Sequence, residues 1–166
     1  VFDISQTDAK RRRQPQVHYD DRLLLSALIA KRPVPIEMAD SVQNGAVYDY
    51  ERKTIFVQRG MDGQDLFRSV SLALARAEMA QQENSTPQAD AFKSYCVSYM
   101  LCRKYGVDTQ GYDFSRLPDE LKNAEPQTIR GELTDIRDTL QTMTGKMVRT
   151  LEQSRTAAQK ETGKER

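Results

Sequence analysis

The chain predicts an α+β fold: a small sheet of about three strands packed on two central helices, followed by a long C-terminal helix. Three observations carry that expectation. Val47, Tyr48 and Tyr50 lead into the charged turn Glu51, Arg52, Lys53 and then into the β-branched and aromatic run Thr54, Ile55, Phe56, Val57, which is a hairpin pattern. Directly afterwards Leu66, Phe67, Val70, Leu74 and Ala77 recur at intervals of three and four, the period of an amphipathic helix. From about residue 127, Ile129, Leu133, Ile136, Leu140, Met143, Met147 and Leu151 alternate steps of four and three, an a/d seam that must bury itself against something.

Taken in order, residues 1–20 form a lead-in. Phe2 and Ile4 alternate with Asp3 and Ser5, as in an edge strand or an extended linker. Residues 8–16 are polar and contain Pro15, an exposed loop in which Lys10, Arg11, Arg12 and Arg13 make a basic run. Such a run can touch phosphate, although a solvated loop is the simpler account. His18 has no carboxylate or second histidine at metal-ligand spacing and reads as a surface or capping residue. Asp20 caps a helix over 21–31 with Leu24, Leu25, Leu28 and Ile29 on its apolar face. The pair Arg32, Pro33 stops it, because proline disfavours helical geometry in the residue before.

Residues 34–38 alternate and supply an edge strand, where the missing N–H of Pro35 is tolerated. After the hairpin, Asp62 or Asp65 caps the first central helix. Residues 81–88 break the pattern. The second central helix spans 87–105, with Pro87 in its first turn and Gly106 at its C-cap. Its mostly apolar stripe, Phe92, Tyr95, Cys96, Tyr99, Met100 and Arg103, is expected to pack on the first. Residues 113–126 are a loop with one short turn over 119–122. The long helix then begins, weakened by ~1 kcal/mol at Gly145 relative to alanine, and frays beyond Ser154. This divides the chain into residues 1–126 and 127–166.

Hydrophobic residues are 38% and charged residues 30% of the 166, and the net charge is +1, so the chain as a whole makes no case for a polyanionic partner. The longest apolar stretches, 23–30 and 95–102, fall far below the ~20 residues that cross a bilayer. With no signal peptide, a cytoplasmic location and no membrane partner are expected. A start at Val1 rather than methionine suggests a piece of a longer polypeptide. Cys96 and Cys102 lie about 120° apart around a helix axis, which disfavours a mutual disulfide and leaves two buried free thiols.

Several stretches together resemble a known family. Phe2 to Thr7, the hairpin at 45–57, Phe67 to Ser71 running into the first central helix, and Ser98 to Ser115 with Cys102, Gly106, Asp108, Thr109 and Phe114 are similar to the zincin-like metallopeptidase domain of ArdC-type and LtrC-type antirestriction proteins, relatives of the ImmA/IrrE peptidases. The resemblance runs from Phe2 to about Phe114. It implies a zincin-like fold in which H-E-x-x-H on the first helix and a glutamate on the second hold zinc. Those positions here are Leu72 and Ala73 for His-Glu, Arg76 for the second histidine, and Tyr95 for the glutamate.

None of the four can do that chemistry. Zinc binding at i and i+4 needs two imidazoles on one helix face, and hydrolysis needs a general base between them. Leucine and alanine offer no lone pair, and arginine is a fixed cation. The expectation is therefore a domain without enzymatic activity, metal or cofactor, in which Leu72, Ala73 and Tyr95 fill the vacated space and Arg76 reaches outward. The less favoured alternative is an anion site between Arg76 and Tyr95, with Cys96 made acidic by the cation.

The implied function is a binding or scaffolding module in a mobile-element, conjugative-transposon protein of the antirestriction type, with a protein partner or the rest of the parent polypeptide as its target. An accessory nucleic-acid module is the alternative, using Arg11, Arg12, Arg13, Arg52, Lys53, Arg103 and Lys104, with DNA as partner. The seam from Ile129 to Leu151 packs on the globular part, pairs two subunits as a homodimer, or meets a missing segment; periodicity alone does not choose.

Overall fold

The computed structural model of the chain describes residues 19–162. The expectations for Phe2, Ile4, Arg11, Arg12, Arg13 and His18 fall outside the described residues. Within them the order is helix α1 (Asp21–Ile29), strand β1 (Ile36–Ala39), a short 3-10 turn (Gln43–Gly45), strands β2 (Ala46–Asp49) and β3 (Thr54–Gln58), then helices α2 (Gly63–Met79), α3 (Pro87–Tyr105), α4 (Asp119–Lys122) and α5 (Pro126–Thr162). The α+β class, the three strands and the long last helix are as expected.

The β2–β3 hairpin closes because Asp49 accepts hydrogen bonds from the backbone N–H groups of Glu51 and Arg52, both at 2.9 Å, while Lys53 takes a left-handed φ of 50°. Tyr48 then stands opposite Ile55 on the buried face of the sheet. β1 joins the other edge of β3 in parallel, so the hairpin's second strand is central in the order β1-β3-β2. Pro35 sits just outside this edge strand and its carbonyl accepts from the Ile55 N–H at 2.9 Å, a role that needs no donor of its own. On the inner face Ala46, Tyr48, Ile55 and Val57 are buried, and α2 lies along β2.

α2 starts where Asp62 accepts from the Asp65 N–H at 2.7 Å, and Phe67, Val70, Leu74 and Ala77 are buried as their spacing predicts. α3 starts on a Thr86 cap with Pro87 in its first turn and ends on Gly106 at φ 73°. α1 is shorter than expected, ending at Ile29, and buries Leu24, Ala27 and Leu28.

One expectation is corrected by the packing. α3 does not pack on α2 through its apolar stripe: it buries Asp90, Lys93, Ser94, Val97, Ser98, Leu101 and Cys102 and turns Phe92, Tyr95, Cys96, Tyr99, Met100 and Arg103 partly or wholly outward. Close approach is the reason. The Ser71 and Ser98 hydroxyls meet at 2.6 Å between the two helices, a separation that large side chains would forbid. α5 is helical to Thr162.

The seam on α5 is resolved within the chain for most of its length. Ile136, Met143, Met147 and Leu151 are buried in the same cluster as Leu24, Phe67, Leu74 and Leu101, and Leu140 packs against it. α5 touches α1, α2 and α3. Residues 136–151 thus share one interior with residues 24–107. Ile129 and Leu133, at 39% and 59% exposure, extend beyond the covered part.

Candidate functional site

α2 and α3 bring the four positions singled out by the resemblance onto one pair of helices, but the side chains go to different places. Ala73 is buried and Leu72 half-buried on α2. Arg76, one turn past Leu72, is half-buried rather than stretched into solvent, and its Nε donates to the Ser94 Oγ at 3.4 Å. That is a correction to the expected outward reach: the small serine on α3 leaves room for the guanidinium stem.

Tyr95 does not fill a hole between the helices either. Its ring packs 5.0 Å from Tyr112 and 5.2 Å from Phe114, and its hydroxyl accepts from the backbone N–H of Asp113 at 2.7 Å. Position 95 therefore serves the loop that follows α3. An anion site between Arg76 and Tyr95 is not what the geometry supplies. Nor is Cys96 acidified: burial pushes its thiol above the ordinary value. Both cysteines are free, Cys102 buried and Cys96 half-buried.

The space between α2 and α3 is occupied by a chain of hydroxyls. The Ser71 and Ser98 Oγ atoms lie 2.6 Å apart, each within reach of the Arg68 carbonyl at 2.9 and 3.2 Å, so with one proton apiece one serine donates to the carbonyl and the other to its neighbour, and Ser98 meets the Tyr112 hydroxyl at 2.6 Å. Tyr112 also lies 3.4 Å from the Cys102 Sγ. Burial raises the Tyr112 phenol well above its ordinary pKa, so it stays neutral throughout the physiological range. Small polar side chains in contact are thus satisfied rather than left orphaned.

A second polar cluster was not anticipated. Asp90, 1% exposed, accepts hydrogen bonds from the Tyr50 hydroxyl at 3.3 Å and from Ser85. Lys93, also buried, lies 3.9 Å from Asp90, 3.9 Å from Glu132 and 2.9 Å from Asp135. Burial alone would lower the Lys93 pKa; the three carboxylates outweigh it and raise it. Tyr50 is raised, first by burial and then by the Asp90 charge, with the Arg76 charge acting against both. The only sequence signal was a charged pair, Asp90 and Lys93, three apart inside an otherwise mixed helix.

The zinc that the resemblance implies does not fit these residues. Among the described residues no three His, Cys, Asp or Glu side chains are grouped to hold a metal ion. Leu72, Ala73, Arg76 and Tyr95 provide no imidazole, thiolate or carboxylate, and the nearby Asp90 is committed to Tyr50, Ser85 and Lys93.

Of the basic positions, Arg52, Lys53, Arg103 and Lys104 are exposed. Arg52 lies 3.9 Å from Asp49 and over the Phe56 ring, whereas Arg103 and Lys104 make no ion pair among the described residues. No described helix is long and apolar enough to cross a membrane. Compared with known proteins, the chain matches no family model, no characterised protein and no solved structure.

Proposed function

We propose that the chain is a non-catalytic, zincin-like binding or scaffolding module of a mobile-element protein of the antirestriction type, acting in the cytoplasm on a protein partner or on the rest of its parent polypeptide. One observation supports this above the others: on α2, which follows a β-hairpin as the resemblance requires, Leu72, Ala73 and Arg76 stand at the places of the ligands and the base, and Tyr95 on α3 is engaged with a loop instead of a metal. Such residues hold a fold together but neither bind zinc nor activate water.

Elemental analysis of the purified protein, paired with a peptide-hydrolysis assay with and without chelator, tests the reading. The expected outcome is sub-stoichiometric zinc and no chelator-sensitive turnover; stoichiometric zinc or such turnover would sink it.

Arg103 and Lys104, exposed and without an ion pair among the described residues, favour one second reading, an accessory nucleic-acid contact. Anisotropy with a labelled oligonucleotide at low salt decides it, and no binding at micromolar protein ends it. A homodimer through the seam would have to rely on Ile129 and Leu133, since Ile136, Met143, Met147 and Leu151 are already buried within the chain.

A further inference from the structure

Of the asparagines Asn44, Asn84 and Asn123, only Asn44 precedes a glycine. Glycine leaves the peptide nitrogen that follows the asparagine unshielded by a side chain, so this nitrogen can attack the carboxamide carbon, Cγ. The new N–C bond closes a five-membered succinimide, the bond from Cγ to the amide nitrogen breaks, and ammonia departs with the peptide proton. Water then opens the ring at either carbonyl. One opening gives aspartate; the other gives isoaspartate, in which the main chain runs through Cβ.

The folded turn holds this chemistry back although the Asn44 side chain is exposed. The Gly45 N–H donates to the Val42 carbonyl at 3.1 Å, which keeps on the nitrogen the proton that attack requires it to lose. Ring closure also needs the Gly45 nitrogen to eclipse the Asn44 Cβ about the Cα–C bond. Asn44 instead sits at φ 58° and ψ 22°, a left-handed conformation that turns this nitrogen almost opposite Cβ.

Gly45 is also seated too tightly to let the peptide rotate in place. It is buried at φ 79°, and an added Cβ would lie 2.8 Å from the Met61 Sδ and 2.8 Å from the Ser69 Oγ. Ala46, the next residue, already begins β2 and pairs with Val57. We infer that the Asn44, Gly45 pair is a self-modification site, shut while the 43–45 turn is closed and converted to a succinimide and its acids once the turn opens. The isoaspartate product carries an extra methylene in the main chain, directly before the Gly45 seat that lacks room for a methyl group. Conversion therefore makes opening of this turn irreversible, whatever the chain binds.

Peptide mapping by mass spectrometry, with isoaspartate and aspartate separated by chromatography, tests this on the full chain. Conversion at Asn44, Asn84 and Asn123 is followed at mildly alkaline pH, in buffer and in guanidinium chloride. In denaturant Asn44 should convert first of the three, and in the folded chain at least about tenfold more slowly than in denaturant. Met61→Ala, which empties one side of the Gly45 seat, should raise the folded rate severalfold and leave the denatured rate unchanged. The isoaspartate chain, isolated and refolded, should melt below Asn44→Asp, whose main chain has the ordinary length. Equal rates at Asn44 in buffer and denaturant, a comparison that needs no variant, would overturn the inference. So would a parent-like folded rate in Met61→Ala, or an isoaspartate chain that melts with Asn44→Asp.

Discussion

The Tyr95 hydroxyl accepts the backbone N–H of Asp113 at 2.7 Å, across 18 residues of chain. The residue standing where the resemblance places a metal-binding glutamate thus ties the loop after α3 to the helix. The same loop carries Tyr112 and Phe114 back onto Tyr95 and Tyr99.

Tyr95→Phe keeps the ring contacts and removes only the acceptor. Amide exchange at Asp113 should accelerate about tenfold, with little change at residues in α2. Measuring both by hydrogen exchange checks this; an unchanged Asp113 amide would show that the bond does not hold the loop.

Lys93→Met should free the start of α5. Its first turns carry the exposed Ile129 and Leu133, while Glu132 and Asp135 are drawn to the buried Lys93 ammonium. Removing that ammonium also leaves Asp90 buried with only the Tyr50 and Ser85 hydroxyls. A loss of about 3 kcal/mol in urea unfolding is expected. Exchange protection should fall at 127–135 and persist at 140–151; uniform protection would refute the local attachment.

Tyr105 should make the fold sensitive to alkali. Its hydroxyl is buried with no hydrogen-bond partner among the described residues, and burial pushes its pKa up to about 12. The unfolded phenol ionises near 10, so the unfolded state loses its proton first. The contribution of Tyr105 is complete below pH 10 and is lost as the pH rises from about 10 to 12. Tyr105→Phe should abolish that part of the alkaline profile and, by removing an unsatisfied hydroxyl, stabilise the protein at neutral pH by about 1 kcal/mol. A mutant with the parent's profile between those pH values would contradict this.

Gly45→Ala should be severe for one residue's methyl group. Gly45 has φ 79°, and an added Cβ would run into the Met61 Cε and lie 2.8 Å from the Ser69 Oγ. Left-handed strain and crowding together should cost roughly 2 kcal/mol, read as a lowered thermal midpoint. An unchanged midpoint would mean that the loop entering β2 can shift.

Local chemistry made much of this legible in advance. The Asp49 to Lys53 turn, the Asp62 cap, Pro87 at a helix start and Gly106 at a helix end each act within a few residues. The three strands and the position of Leu72, Ala73 and Arg76 on one helix followed from that. The facing of α3 did not. Apolar periodicity ranks side chains by type, but the close helix contact at Ser71 and Ser98 selects them by size. The same limit hid the Asp90 and Lys93 cluster, whose partners Tyr50, Glu132 and Asp135 lie about 40 residues away in the chain.

Because Met143, Met147 and Leu151 cover α1 and α2 from the far end of the chain, the interior cannot be sealed during synthesis until Leu151 has cleared the ribosome. Until then Leu24, Leu28 and Leu74 present a greasy trough to solvent or to any chaperone at hand. Truncation ahead of residue 140 would make that transient state permanent, and aggregation rather than a smaller folded unit is its natural end.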